Sequence, residues 1–215
     1  LSIWAIIPVR PLEEGKSRLA PVLGPVERRC LNETLFRRTV QACCLAVGPA
    51  ATLVVSRSVR ALRMAEAEGA RTLLETAPHG LNEALSQAAA TARRWGATAA
   101  LSVSCDLPFL TADDLRALIA TAAAGGGLAI GADRALTGTN ALFVSPVGAI
   151  AYRYGADSLR AHRDAARRSG LALPVVRRTG LAFDLDTPDD VREMAALDRL
   201  AMTDAPRQGG VHDCG

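Results

Sequence analysis

The chain has 215 residues, a formal net charge of +3, 49% hydrophobic and 4% aromatic residues, enough apolar content for one large domain with a sizeable core. Scarce aromatics exclude a base-stacking platform for single strands, and the scattered arginines exclude a polyanion-wrapping surface, so no nucleic-acid partner is expected. The five cysteines (Cys30, Cys43, Cys44, Cys105 and Cys214) form no CxxC pair, which leaves a zinc site or disulfide framework unsupported.

Ile3 to Val9 (IWAIIPV) reads as a first buried strand. The polar loop after it runs Arg10-Pro11-Leu12-Glu13-Glu14-Gly15-Lys16-Ser17-Arg18-Leu19. Such a loop can cradle phosphates through backbone N–H groups and through Lys16 and Arg18, or it can be an ordinary solvated connection. It lacks the GxxxxGK[ST] pattern of a Walker A loop. Pro25 to Val47 has helical spacing and stops at Gly48-Pro49; Ala51 to Ser56 reads as a strand. A helix over Val59–Glu68 and a strand over Arg71–Glu75 follow. This βαβαβ alternation predicts a parallel sheet with right-handed crossovers. Gly80 precedes a helix over Asn82–Trp95, where Asn82 is either a cap or, with Gly80, a nucleotide contact.

Leu101 to Leu110 (LSVSCDLPFL) holds the segment around which the rest is arranged. Its apolar start is one buried strand, and Pro108 ends it, so Asp106 falls at a strand's carboxyl end, where α/β sheets bind ligands. An acid there is a metal-ligand candidate or a cap for the helix over Ala112–Ala124. Two further strands, Leu128–Ala132 and Ala141–Ser145, flank a turn containing Thr137-Gly138-Thr139, suited equally to an anion or to a plain turn. Gly155 and Ser158 open another helix, whose start is a ready anion site and whose His162 reads as structural. Leu171–Val176 reads as a strand. Phe183-Asp184-Leu185-Asp186-Thr187-Pro188 then presents a second strand-end acidic site before the last helix, Asp189–Leu200. Strand alternation puts Asp184 and Asp186 on one side, where their repulsion calls for a cation; magnesium suits carboxylate oxygens.

The expected division is a domain over residues 1–200 and a flexible tail over 201–215. No apolar run reaches transmembrane length and no basic signal region opens the chain, so a cytoplasmic protein without membrane contact is expected. The first residue is Leu1 rather than Met, which points to missing upstream residues.

Six stretches in order, PVRPLEEGKSRLAPVL, GLNEAL, CDLPFL, TGTNALF, YGADSLRAH and FDLDTPDDV, resemble the 2-phospho-L-lactate guanylyltransferase family, whose members make the guanylylated precursor of the deazaflavin coenzyme F-420. The resemblance implies a single-domain, nucleotidyltransferase-like α/β fold of Rossmann-like type, with a mostly parallel sheet and helices on both faces. It implies that GTP and a phosphorylated three-carbon acid give a guanylyl diester and pyrophosphate. By position, Asp106, Asp184 and Asp186 would bind magnesium. Lys16, Thr139, Gly155 and Ser158, with Arg18 near the phosphates, would hold phosphorylated groups, and Gly80 and Asn82 would lie by the nucleotide. Lys16 and Asp106 would be the catalytic pair. A homodimer, and contact with the downstream transferase that accepts the unstable product, are also among the expected partners. Cys105 stands where the family usually has Ala; this change, with a bacterial-looking composition, orders the acids as 3-phospho-D-glycerate, phosphoenolpyruvate, then 2-phospho-L-lactate. The rival readings are a molybdenum-cofactor guanylyltransferase or sugar-phosphate nucleotidyltransferase, disfavoured by a loop with one glycine, and a non-catalytic nucleotide-binding module, which needs no three gathered acids.

Overall fold

Alternation within the first strand sets the architecture. In β1 (Ile3–Pro8), Ala5 and Ile7 join one buried cluster, while Trp4 and Ile6 join another. A strand apolar on both faces must be covered on both. One face packs on α1 (Pro25–Val47), α2 (Val59–Ala67) and α4 (Ala112–Ala124), through Phe36, Val40, Leu62, Leu115 and Leu118. The other packs on α3 (Leu81–Arg94), through Ala84, Leu85 and Ala88, and on α5 (Ser158–Arg168), through Leu159 and Ala166. The computed structural model describes residues 1–203.

The remaining strands are β2 (Thr52–Ser56), β3 (Arg71–Leu74), β4 (Ala99–Val103), β5 (Leu128–Ala132) and β6 (Thr139–Val144). The sheet order is β3-β2-β1-β4-β6-β5. β1 runs parallel to β2 and β4, and β2 to β3; β6 is antiparallel to β4 and β5. The reversal follows from the short turn over residues 133–138, which returns the chain beside β5. It sets the start of β6 against the end of β4, where Ser104 N–H donates to the Asn140 carbonyl at 2.8 Å. The carboxyl ends of β1 to β4 therefore share one edge with Thr139. Among the described residues, no helix is long and apolar enough to cross a membrane.

Three expectations are corrected. Leu171–Val176 is not a strand: it makes one parallel bridge, Val175 with Ile130. Ile130 N–H donates to the Pro174 carbonyl and Val176 N–H to the Ile130 carbonyl. Pro174 offers no donor, so the ladder stops there. Phe183–Asp186 is not a strand either. It follows a short helix, α6 (Thr179–Ala182), and is held extended by Leu185 N–H donating to the Asp106 carbonyl at 3.0 Å. The last helix, α7 (Pro188–Thr203), runs past the expected end at Leu200; residues 204–215 of the expected tail lie outside the described residues.

Two anchors position the loops at that shared edge. The first is Asp114, at the start of α4, 5% exposed. It accepts from the backbone and hydroxyl of Thr111 in a capping box and pairs with Arg178. This is the cap that Asp106 was free not to supply. Gly180 of α6 sits so close that a β-carbon would lie 2.1 Å from Asp114 Oδ2 and 2.7 Å from the Phe109 carbonyl. Phe183 and Leu185 then fill a pocket with Leu35, Phe183 edge-on to Phe109. The second anchor is His162, fully buried. Its Nε2 accepts from Arg153 N–H at 2.9 Å, which puts the ring proton on Nδ1, 3.1 Å from Thr139 Oγ1. Asn82 completes the clamp: its amide donates to the Tyr154 carbonyl and accepts from Tyr154 N–H.

Gly180→Ala should lower stability by roughly 1–3 kcal/mol, the cost of overpacking against backbone, read as a lower urea midpoint. An unchanged midpoint would show that α6 does not pack on α4. Burial, and secondarily the Arg153 charge, lower the His162 pKa from 6.5 to about 4, while a backbone bond at Ser158 pulls the other way. The unfolded chain takes up this proton near pH 6.5 and the folded one only near 4. The contribution is therefore complete above about pH 6.5 and lost as pH falls toward 4, at most about 3 kcal/mol. Denaturant titrations of wild type and His162→Gln between pH 7 and 4 should diverge by this slope in the wild type alone.

Candidate active site

The loop after β1 is folded back by Asn32 of α1, which donates to the Leu12 carbonyl at 2.7 Å. Gly15 passes so near this amide that a β-carbon would lie 2.7 Å from Asn32 Nδ2. Lys16 follows with φ of 58°, in the left-handed region that L side chains seldom adopt. The result is a lysine turned inward, its side chain 8% exposed. Its Nζ lies 2.8 Å from Asp186 Oδ1 and 3.6 Å from Asp106 Oδ2. Acids 80 residues apart in sequence thus share one ammonium.

The charge around it is not balanced. Asp106 Oδ1 is buried without a hydrogen-bond partner. The Asp184 carboxyl is pushed up to about 6, first by burial and then by the charges of Asp106, Asp186 and Asp133; its own backbone N–H opposes this. The helix-cap alternative for the second acidic pair also resolves. Thr187 and Asp190 cap α7 reciprocally, Asp190 accepting from Asp186 N–H, Thr187 N–H and the Thr187 hydroxyl. The Asp186 carboxylate is thereby left to Lys16.

Beside this cluster runs a cleft of about 660 Å³ along the ends of β1, β2, β3 and β4. Lys16, Asp106 and Asp186 stand at one end, and Glu75, His79 and Gly80 at the other. Pro8, Val55, Leu81 and Ala84 give it apolar walls. Arg57, just past β2, pairs with Glu14 of the first loop across the cleft's lining.

Of the residues singled out in the sequence, Lys16, Gly80, Cys105, Asp106 and Asp186 line this cleft, and Asp184 does not. Arg18 is exposed in the short 3-10 turn Ser17–Leu19 and does not line it. Asn82 spends its amide on Tyr154, and Thr139 bonds the His162 ring. Ser158 is buried at the start of α5, and Gly155 (φ 139°) lies in the loop between Tyr154 and that start. These form a second group, joined to the cleft through Asn82 and through Ser104, which lines the cleft and bonds Asn140 of β6. The Thr137 hydroxyl and N–H are taken by Asp133, so this part of the TGT segment is a turn. Sequence reasoning passed over Glu75, Arg57 and Glu14. Only their places just beyond strands or in the first loop could have marked them.

For the expected divalent ion, the buried unpartnered Asp106 oxygen and the crowded, partly neutralised acids fit a cation. As the side chains stand, however, no three His, Cys, Asp or Glu groups among the described residues converge closely enough to hold one. Lys16 fills the space between two of them.

Comparison with known proteins agrees with this reading of the fold. Residues 3–198 match the family described as guanylyl transferase CofC like. A phosphoenolpyruvate guanylyltransferase of Sphaerobacter thermophilus is 42% identical over 191 residues, covering 89% of this chain and 91% of that protein. One from Rubrobacter xylanophilus is 38% identical over 196 residues, covering 91% and 95%. Among solved structures, 4-diphosphocytidyl-2C-methyl-D-erythritol synthase of Anaerococcus prevotii superposes with a TM-score of 0.62 at 10% identity, over 92% of this chain and 96% of that one. A Methanothermobacter nucleotidyl transferase gives 0.60 at 15% identity, over 94% and 99%. These structures support the nucleotidyltransferase fold alone. With a family match across nearly its whole length, the chain belongs to the CofC-like guanylyl transferases.

Proposed function

We propose that this protein transfers the guanylyl group of GTP to the phosphate of phosphoenolpyruvate and releases pyrophosphate, a step toward a deazaflavin coenzyme of the F-420 type. The observation that carries the reading is the buried Lys16 ammonium shared by Asp106 and Asp186 at one end of the cleft, beside an unpaired Asp106 oxygen. Phosphoenolpyruvate is placed ahead of 3-phospho-D-glycerate because the relatives compared above carry its name. Cys105 lines the cleft, but its thiol is turned onto the Pro8 carbonyl at 3.6 Å, which leaves it a weak ground for the other order.

The attacking group is a phosphate oxygen of the acid. It is already anionic, so no general base is needed. A bond forms from that oxygen to the α-phosphorus, and the bond to the oxygen bridging toward the β-phosphorus breaks, its electron pair leaving with pyrophosphate. The main obstacle is repulsion between two anions. Lys16 is the cation nearest the cluster, and its long side chain can turn from the aspartates to a phosphate. With Lys16 turned away, Asp106, Asp184 and Asp186 would be the residues to close on magnesium, which would supply charge stabilisation for the α-phosphoryl group and the leaving pyrophosphate. The segment carrying Thr139, Gly155 and Ser158, fixed by His162 and Asn82, would border the phosphorylated acid next to the end of β4. Positioning and preorganised charge would supply most of the rate.

A pyrophosphate-release assay crossing GTP and ATP with phosphoenolpyruvate, 3-phospho-D-glycerate and 2-phospho-L-lactate tests this directly. The expected result is turnover with GTP and phosphoenolpyruvate, and a product whose mass is that of the mixed diester. Turnover with none of the acids would overturn the reading. Asp106→Asn, Asp184→Asn and Asp186→Asn should each fold and each lose on the order of 10³-fold in rate, the scale of losing a charge-stabilising group. Normal rates in all three would remove the acids from the chemistry.

A further inference from the structure

We infer that Glu75 reads the guanine base, making its carboxylate the specificity determinant for GTP over ATP. This rests on the guanylyl transfer proposed above. Glu75 is the first residue beyond β3, where its N–H donates to the Ser56 carbonyl at the end of β2. Its side chain is 11% exposed and lines the cleft. Oε1 accepts from Gly80 N–H at 3.2 Å and lies 3.4 Å from His79 Nδ1. Among the described residues, nothing donates to Oε2. The carboxylate is thus fixed in orientation with acceptor capacity to spare.

The loop that carries it is tied to α3. Gln87 of α3 accepts from Thr76 N–H and donates to the Thr76 carbonyl, bracing the segment from both sides. The chemistry at this end of the cleft differs from that at the other. A carboxylate beside phosphates would be repulsive, and Glu75 stands apart from Lys16 and Asp106, where the phosphates are proposed to lie. In the order β3-β2-β1-β4, its strand end stands three places from that of Asp106, on the order of 14 Å at the usual strand spacing. That span suits a nucleoside whose α-phosphate lies by Lys16 and whose base edge points at β3. Between the two ends, Pro8, Val55, Leu81 and Ala84 offer the apolar walls a purine ring needs. Guanine presents two donors side by side, N1–H and the exocyclic amine, which a carboxylate accepts together. Adenine presents a lone pair at N1 instead, which a carboxylate repels. The other carboxylates of the cleft's lining are engaged by cations, Glu14 by Arg57 and Asp106 and Asp186 by Lys16.

The test is equilibrium binding of GTP, ITP and ATP, each with magnesium, to wild type and to Glu75→Gln. Binding is read directly, so the answer does not depend on turnover or on the identity of the acid. Glutamine keeps an acceptor for Gly80 N–H but turns a donor toward the base. GTP should bind about 10- to 100-fold more weakly, as expected for losing charge-assisted hydrogen bonds. ITP, without the amine, should lose less, and ATP should not weaken. Equal loss for all three nucleotides would mean that Glu75 holds the loop or the ribose, and would overturn the inference, as would an unchanged GTP-to-ATP ratio. Should the variant fail to fold, the wild type decides alone. ITP lacks the amine and 2-aminopurine riboside triphosphate lacks N1–H; each should bind about 10-fold or more weakly than GTP. Equal affinity for the three would refute base reading by this carboxylate.

Discussion

A single buried ammonium holds the site's opposing charges together. Lys16 reaches Asp186 at 2.8 Å and Asp106 at 3.6 Å with its side chain 8% exposed. Without a cation, these acids and Asp184, gathered in one half-buried place, would repel one another. Burial already drives Asp184 up to about 6, so the cluster keeps residual strain of charge even with Lys16 in place. A lysine suits this role because it is a compact charge on a flexible stem, able to give up its partners when stronger cations or anions arrive. The left-handed backbone at Lys16 and the close passage of Gly15 over Asn32 are the local cost of turning that side chain inward.

The scaffold serves this cluster by bringing distant segments to one edge. Parallel strands β1 to β4 end side by side, which opens the cleft. The reversed strand β6 adds its beginning to the same edge, so Thr139 arrives where the others finish. The later acids come from outside the sheet. They are delivered by α6, locked onto α4 through Gly180 and Asp114, and by the bond from Leu185 to Asp106. Asn82 spends its amide on the Tyr154 backbone, and His162 spends its ring on Arg153 N–H and the Thr139 hydroxyl, which makes them positioning residues for the loop before α5 and for the start of β6.

The elements legible in the sequence are those whose neighbours left no choice. The two-faced burial of β1, the proline break after Asp106 and the Gly48-Pro49 stop all follow from local sterics and hydrophobic pattern. The segments misread are those where pattern and backbone chemistry disagree. Leu171–Val176 looks like a strand by composition, but Pro174 removes the donor that a ladder needs. Phe183–Asp186 alternates like a strand because Phe183 and Leu185 are buried and the acids are not, yet its partner is one carbonyl rather than a neighbouring strand.

By itself, the sequence determined the α/β alternation, the strand-end position of Asp106 and the list of acids and cations available, since these depend on residue type and on neighbours along the chain. Only the tertiary structure decided which of them meet. Lys16 turned out to lie between two carboxylates, Asn82 on a backbone loop and Glu75 inside the cleft, because each of those outcomes depends on contacts between segments many residues apart. Distance along the chain carries no information about such contacts; packing of the two helical layers on the sheet creates them.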